Sequence, residues 1–207
     1  MDKLDLKKKF REIYSVGAKA KQPHLVQVPA LQYVMVDGHG DPNTSEEYNL
    51  AIGVLYGVSY TVKFVAKGRG SDFGVMPLEG LRWSDPPEEF ANKPKSEWMW
   101  TAMILQPEFV MEPMIEDALA ALIEKGKITP DTAAKVRLEK LEEGTAGQVL
   151  HIGPYADEAP TIQGLHAFVE SQGMILHGKH HETYMSDPRR VTPDKLKTII
   201  RHPVKKR

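Results

Sequence analysis

The chain contains no cysteine. Disulfides, thiol nucleophiles, thiolate zinc sites and iron–sulfur clusters are therefore excluded together. Neither sign of charge is in excess: 27 Lys and Arg stand against 28 Asp and Glu, a formal net charge of −1. A globally basic nucleic-acid binder does not look like this. No apolar run approaches the roughly 18 residues that span a bilayer. The segment Met1-Asp2-Lys3-Leu4-Asp5-Leu6-Lys7-Lys8-Lys9 has basic charge but no apolar stretch, so no signal peptide is expected and the expected compartment is the cytoplasm. The common catalytic signatures are missing too. There is no G-x-S-x-G, no P-loop, no G-x-G-x-x-G and no helical H-E-x-x-H. What is present is ordinary: 207 residues, 41% hydrophobic and 27% charged, enough for one large domain or two small fused modules.

The pattern of elements is more informative. Residues 1 to about 23 are charged and predict a partial helix at most. From Leu25 to Asp37 the pattern is extended, with Val34 and Val36 alternating with Tyr33, Met35 and Asp37 as in a strand, and Gly38-His39-Gly40-Asp41-Pro42-Asn43 breaks it. Residues 46–66 predict a long helix. Ala51, Leu55, Val58, Val62 and Val65 form one stripe, Tyr56, Tyr60 and Phe64 a second, and Thr44 or Ser45 can cap it. Phe73 to Trp83 reads as a strand interrupted near Pro77, and Pro86-Pro87 and Lys93-Pro94 bound a loop. Glu97 to Leu105 is a strand with two largely apolar faces. A helix layer can cover one; the other needs a second protein layer or a ligand cavity. Helices follow at 112–125 and 159–171, and strands at 136–141, 148–152, 180–185 and 196–201. Strand, helix, strand, strand thus occurs twice, without the regular rhythm of a parallel sheet. The expected class is α+β, with two pseudo-symmetric modules, an antiparallel sheet and a ligand cleft between them.

Several residues are candidates for chemistry. His177, His180, His181 and Glu182 cluster in sequence, but on a strand His180, Glu182 and Tyr184 share one face and His181 points to the other. That spacing argues against a metal site. A carboxylate at Glu182 inside an aromatic-lined pocket would have its charge disfavoured by burial and its basicity raised. It then suits a general base for water or a counter-ion for cationic ligands; a solvent-exposed strand Glu is the plain alternative. Glu79 is either a second acid at the pocket or an ion-pair partner for Arg82. Trp83, Trp98 and Trp100 fall within 18 residues and suit either core packing or a flat-ring surface. The basic end, Arg189, Arg190, Lys195, Lys197, Arg201, Lys205, Lys206 and Arg207, lacks interleaved aromatics and reads as a solvated face.

The run His180-His181-Glu182-Thr183-Tyr184-Met185-Ser186-Asp187-Pro188-Arg189-Arg190, with Lys195 to Val204 after it, resembles the GyrI-like small-molecule-binding family. Gly38 to Pro42, Ala51 to Lys63, Pro77 to Trp83 and His151 to Tyr155 match it as well. The resemblance implies an N-terminal extension at 1–22 and one domain at 23–207, with modules near 25–110 and 136–204. It implies a cleft for hydrophobic aromatic small molecules and no cofactor. The best-matching branch looks like hydrolases that open the strained cyclopropane of cyclopropanoid DNA-alkylating toxins with water, a detoxification. On that resemblance Glu182 is the expected base, with Glu79 second. Tyr184 or Tyr155 donates to the carbonyl oxygen, and Tyr56, Tyr60, Trp83, Trp98, Trp100 and Tyr155 stack the ligand. The rival readings are a non-catalytic multidrug-binding or sequestering domain, and a gyrase-inhibitor-like interaction protein whose partner is DNA gyrase.

Overall fold

The computed structural model describes residues 3–84 and 93–207; the loop expected at Pro86-Pro87 lies outside the described residues. A four-residue helix α1 (Leu6–Lys9) precedes strands β1 (His24–Val28) and β2 (Leu31–His39). Then come α2 (Glu46–Gly68), β3 (Leu78–Trp83), β4 (Met99–Leu105), α3 (Glu112–Glu124), α4 (Pro130–Ala133), β5 (Arg137–Leu141) and β6 (Gly144–Ile152). The chain ends with α5 (Ala159–Ser171), β7 (Met174–Leu176), β8 (His180–Tyr184) and β9 (Lys197–Lys206). The class is α+β, as the element pattern predicts. The strands form an open antiparallel sheet in the order β1-β6-β9-β8-β3-β4-β2-β5, with β7 on the far end of β9.

That order is a palindrome of modules. Exchanging β1 with β5, β6 with β2, β9 with β4 and β8 with β3 reproduces it. A pseudo-two-fold axis therefore passes between β3 and β8. Each half lends its leading strand to the other: β1 pairs with β6, and β5 pairs with β2. Strand β7 carries three residues, too few for an alternating pattern to register in the sequence.

The long helices α2 and α5 lie on one face. Ser45 caps α2 by accepting from the Tyr48 amide, and Glu46 and Glu47 suit its positive end. Ala51, Leu55, Val58 and Val62 are buried as expected, against β2 and β4. Val65 is 43% exposed, because the buried stripe continues from Val62 to Ala66, 2% exposed, and Val65 turns off that face. By length and composition alone α2 could cross a bilayer, but its apolar stripe is spent on the sheet. Helix α5 covers β6 and β7, with Leu165 against Val149 and Ile200. Neither long helix sits over β3 and β8, which leaves the centre of the sheet between them.

The other face has its own cover. Leu4 bridges Phe73, Leu6, Ile13 and Tyr14 join the core, and the Gln148 side-chain amide donates to the Glu12 carbonyl. The second layer called for by the doubly apolar β4 is thus supplied by the protein, in part by a segment that reads in sequence as charged and plain. Its burial rests on Leu6, Phe10, Ile13 and Tyr14, which stand at helical spacing within a stretch otherwise dominated by charged residues.

Close approach between elements requires glycine at position 38 but not at position 53. A Cβ on Gly38 would lie 2.1 Å from Trp100 Cζ2, whereas one on Gly53, in mid-α2, meets nothing within 4 Å. Gly38→Ala should therefore cost about 1–3 kcal/mol by overpacking. Gly53→Ala should stabilise by about 0.5–1 kcal/mol through helix propensity. Urea unfolding of both variants checks this, and equal midpoints would refute it.

Candidate functional site

The site grows from the pairing of β3 with β8. Gly80 lies opposite Glu182 and Arg82 opposite His180, so these residues share the helix-side face. Glu79, opposite Thr183, and Leu81, opposite His181, face the other way. Two ionic clusters consequently lie back to back across one sheet.

On the helix side Arg82 Nη1 donates to Glu182 Oε2 at 2.5 Å, and Arg82 Nη2 donates to the Tyr184 hydroxyl at 2.5 Å. Tyr184 in turn donates to Glu182 Oε2 at 2.6 Å. His180 Nε2 lies 2.9 Å from Glu182 Oε1. Both phenols lie close over Gly80: a Cβ there would be in ordinary contact with the hydroxyls of Tyr48 and Tyr184 at 3.5 and 3.6 Å. Tyr48 projects from α2, and Tyr155 stands edge-on to Tyr184 with ring centroids 5.5 Å apart. The cluster is nearly closed, with Glu182 only 7% exposed.

The expectation of a basic Glu182 is corrected by its partners. Burial opposes its charge, but Arg82, His180 and Tyr184 more than offset this and hold the carboxyl well below the usual range. Arg82 pairs with Glu182 and not with Glu79, because residues three apart on a strand point to opposite faces. Tyr184 stays protonated through burial, despite Arg82. Burial with the charges of Glu158 and Glu182 pushes Tyr155 up to about 12.

Glu158 is a member that the sequence reading missed. It precedes α5 and is buried, yet its side chain caps no helix amide. Burial first, then the Glu182 charge, raises its carboxyl to about 8; the Thr198 hydroxyl, Arg82 and Lys95 pull the other way without prevailing. In sequence it is one acidic residue of a turn, and only the position of α5 over β9 turns it inward. His202 and His166 also gather beside His180, with ring centroids 6.1 and 5.6 Å apart in succession. Burial and the two neighbouring histidines lower His202 to about 3, so it is neutral. No group of metal-ligating side chains is assembled among the described residues.

The back face holds a second network. Glu79 is fully buried; it accepts from Tyr14 at 2.7 Å and Thr183 at 3.0 Å, and lies 2.9 Å from His181 Nε2. His181 Nδ1 is 2.9 Å from Glu143, which also accepts from Arg201. Glu79 is therefore separated from Glu182 by the sheet itself. Arg201, assigned in sequence to a solvated basic face, is fully buried here.

Of the expected stacking residues, the fold brings Tyr155 to Glu182. Tyr56 lies two turns beyond Tyr48 on α2, and its hydroxyl accepts from the Leu78 amide at 3.2 Å. Tyr60 continues that row outward, 47% exposed and stacked between Tyr56 and Phe64. Trp100 is completely buried under Tyr48. Trp98, half-buried, carries Lys95 over its ring. Trp83 is on the back face, with Lys179 Nζ 3.4 Å above its ring. A cavity of about 650 Å³ also lies behind the sheet, between Tyr14, Val16, Ile152 and Met185, with Lys195 and Lys197 at its rim.

The GyrI-like small molecule binding domain matches residues 21–205. An uncharacterized conserved protein from Listeria innocua is 38% identical, with a TM-score of 0.88 over 98% of this chain and 100% of its own. A hydrolase from Listeria innocua is 37% identical, with a TM-score of 0.83 over the same shares. The EcmrR C-terminal domain shares the fold at 16% identity, with a TM-score of 0.57 over 90% of this chain and 98% of its own. No curated protein sequence matches.

The back-face network makes a testable contribution to stability. Burial opposes the Glu143 charge, but His181 and Arg201 outweigh it and lower the carboxyl to about 2. A lowered carboxyl stabilises fully above its unfolded pKa, near 4.5, and loses that contribution as pH falls towards 2. Glu143→Gln leaves Arg201 buried without its partner and should cost about 3–5 kcal/mol at pH 7. The deficit should shrink between pH 4.5 and 2.5. Denaturant midpoints at both ends of that range decide it; a constant deficit would refute the assignment.

Proposed function

Because the chain belongs to the GyrI-like small-molecule-binding domain family, we propose that it takes flat hydrophobic aromatic molecules over Glu182, between α2 and α5, and hydrolyses the cyclopropane of cyclopropanoid DNA-alkylating toxins in the cytoplasm. The observation that carries this reading is the Arg82–Glu182–Tyr184 cluster at the centre of the sheet, bordered by Tyr48 and Tyr155. A relative described as a hydrolase, 37% identical along its whole length, supports catalysis over binding alone.

The chemistry suits these groups. In such a toxin the cyclopropane is conjugated to a dienone. Water attacks the ring CH2, the strained C–C bond breaks, and its electron pair aromatises the dienone to a phenol. Glu182, held ionised, is a weak proton acceptor but a strong hydrogen-bond acceptor. It orients the attacking water and faces the positive charge that develops at the CH2. Tyr155, a protonated phenol, offers a hydrogen bond to the dienone oxygen, whereas the proton of Tyr184 is committed to Glu182. Tyr56 and Tyr60 extend an aromatic row away from the site along α2. An ionised carboxylate among aromatic rings also suits cationic ligands, which is the binding-only reading.

The test is ring opening of a duocarmycin-like cyclopropanoid at substoichiometric protein, followed by mass and absorbance. Multiple turnovers to a product heavier by one water are expected. Glu182→Gln should lower the rate about 100-fold or more, measured on protein that circular dichroism shows to be folded, because the change also leaves Arg82 buried without its charge partner. Saturable binding with the ligand chemically unchanged would leave a sequestering domain, and inhibited DNA supercoiling without ligand would favour a gyrase-directed role.

A further inference from the structure

The helix-side cluster contains two carboxyl groups and enough compensating partners for one. Glu182 takes both hydrogen bonds that Arg82 and Tyr184 direct into the cluster, and His180 besides. Arg82 is spent: one nitrogen goes to Glu182 and the other to Tyr184. Glu158 forms no ion pair among the described residues. It is only 6% exposed, and its Oε1 is sealed from solvent without a hydrogen-bond partner. Capping α5 would be the ordinary use for a side chain at this position, and Glu158 does not do it. Instead it sits beside Thr198, which lies opposite Tyr184 in the sheet and so on the same face as Glu182.

We propose that Glu158 is a ligand-facing carboxylic acid, which donates a hydrogen bond, and during turnover a proton, to a carbonyl oxygen on the bound aromatic molecule. A buried carboxyl next to an ionised one, with no cation of its own, is held in its neutral form. The groups facing it are Glu182 and Tyr184 from β8, Arg82 from β3, Thr198 from β9, Tyr155 from the turn before α5, and Lys95 ahead of β4. The balance of burial and Glu182 over Arg82 and Lys95 matches the raised carboxyl described above. The site would thus select ligands that join a flat ring system to a neutral acceptor oxygen.

Resting on the hydrolase reading, the step balances as follows. Water oxygen bonds to the cyclopropane CH2, and the C–C bond breaks. The released pair makes the dienone oxygen a phenolate, which takes the Glu158 proton. The extra proton on the attached water then returns to the Glu158 carboxylate through solvent, so one water is consumed and the acid is regenerated. Tyr155, near 12, can polarise that oxygen but holds its own proton more tightly than a phenol product does.

Two readouts separate this proposal from the reading beneath it. The first needs no ligand. In protein labelled with ¹³C at the glutamate carboxyl carbons, one signal should titrate near pH 8 and vanish in Glu158→Gln. A raised carboxyl costs stability as pH climbs from about 4.5 towards 8, so Glu158→Gln should melt higher than wild type at pH 9. Titration of every glutamate below pH 6, or survival of the high signal in the variant, would overturn the proposal.

The second readout adds the cyclopropanoid itself. If it is turned over, the wild-type rate should fall above pH 8, and Glu158→Gln should lose about 100-fold or more in rate with little change in ligand affinity. An unaltered rate in the variant would overturn the proposal and leave the hydrolase reading intact. If the toxin binds without reacting, the hydrolase reading fails. The Glu158 signal must still shift on binding, and an unmoved signal would overturn the proposal.

Discussion

The antiparallel pairing of β3 with β8 is the constraint on which the rest depends. Two short strands meet at the pseudo-two-fold axis: β8 carries His180, His181 and Glu182 in succession, and β3 carries Glu79 and Arg82 on either side of Gly80 and Leu81. Side chains of a strand alternate between faces, so one register distributes these residues into two networks. Arg82, Glu182 and His180 go to the helix side, and Glu79 and His181 to the back. A slip of one residue would exchange them and bury each charge without its partner. Hydrophobic periodicity is weak here, and complementary charge specifies the pairing in its place.

The two networks are built differently because they are covered differently. The back network is closed by Tyr14, Glu143 and Arg201, every member bonded to another across several strands. Such a network rigidifies the junction of the two modules. The front network is bounded by the ends of helices, the N-terminal part of α2 and the start of α5, which bring Tyr48, Tyr155 and Glu158. Its Glu182 is over-supplied with donors while its Glu158 lacks them. That imbalance is a cost to folding, and costs of this kind gather where a ligand will complete the set.

Charge compensation also decides which carboxyl can do which work. Glu182, beside Arg82, has little proton affinity and serves as a fixed negative charge. Glu158, which forms no ion pair among the described residues and is raised by burial and the Glu182 charge against Arg82 and Lys95, keeps its proton into the neutral range. Two like residues in one enclosure thereby acquire opposite roles from their surroundings alone, as an acid–base pair requires.

Much of this was legible in the sequence, and the reasons are local. Apolar spacing marked α2, α3 and α5, and period-two alternation placed Glu182 and Tyr184 on one face with His181 on the other. The repeated strand-helix-strand-strand pattern announced the class. Four things depended on residues distant in the chain meeting in space. Arg82 chose Glu182 over Glu79, Glu79 went behind the sheet, Tyr14 and Arg201 were buried, and Glu158 turned inward. Secondary structure follows from near neighbours, whose spacing is written in the chain. The proton affinity of a carboxyl follows from which charges lie within a few ångströms and how much water is excluded, and only the closed tertiary structure decides that.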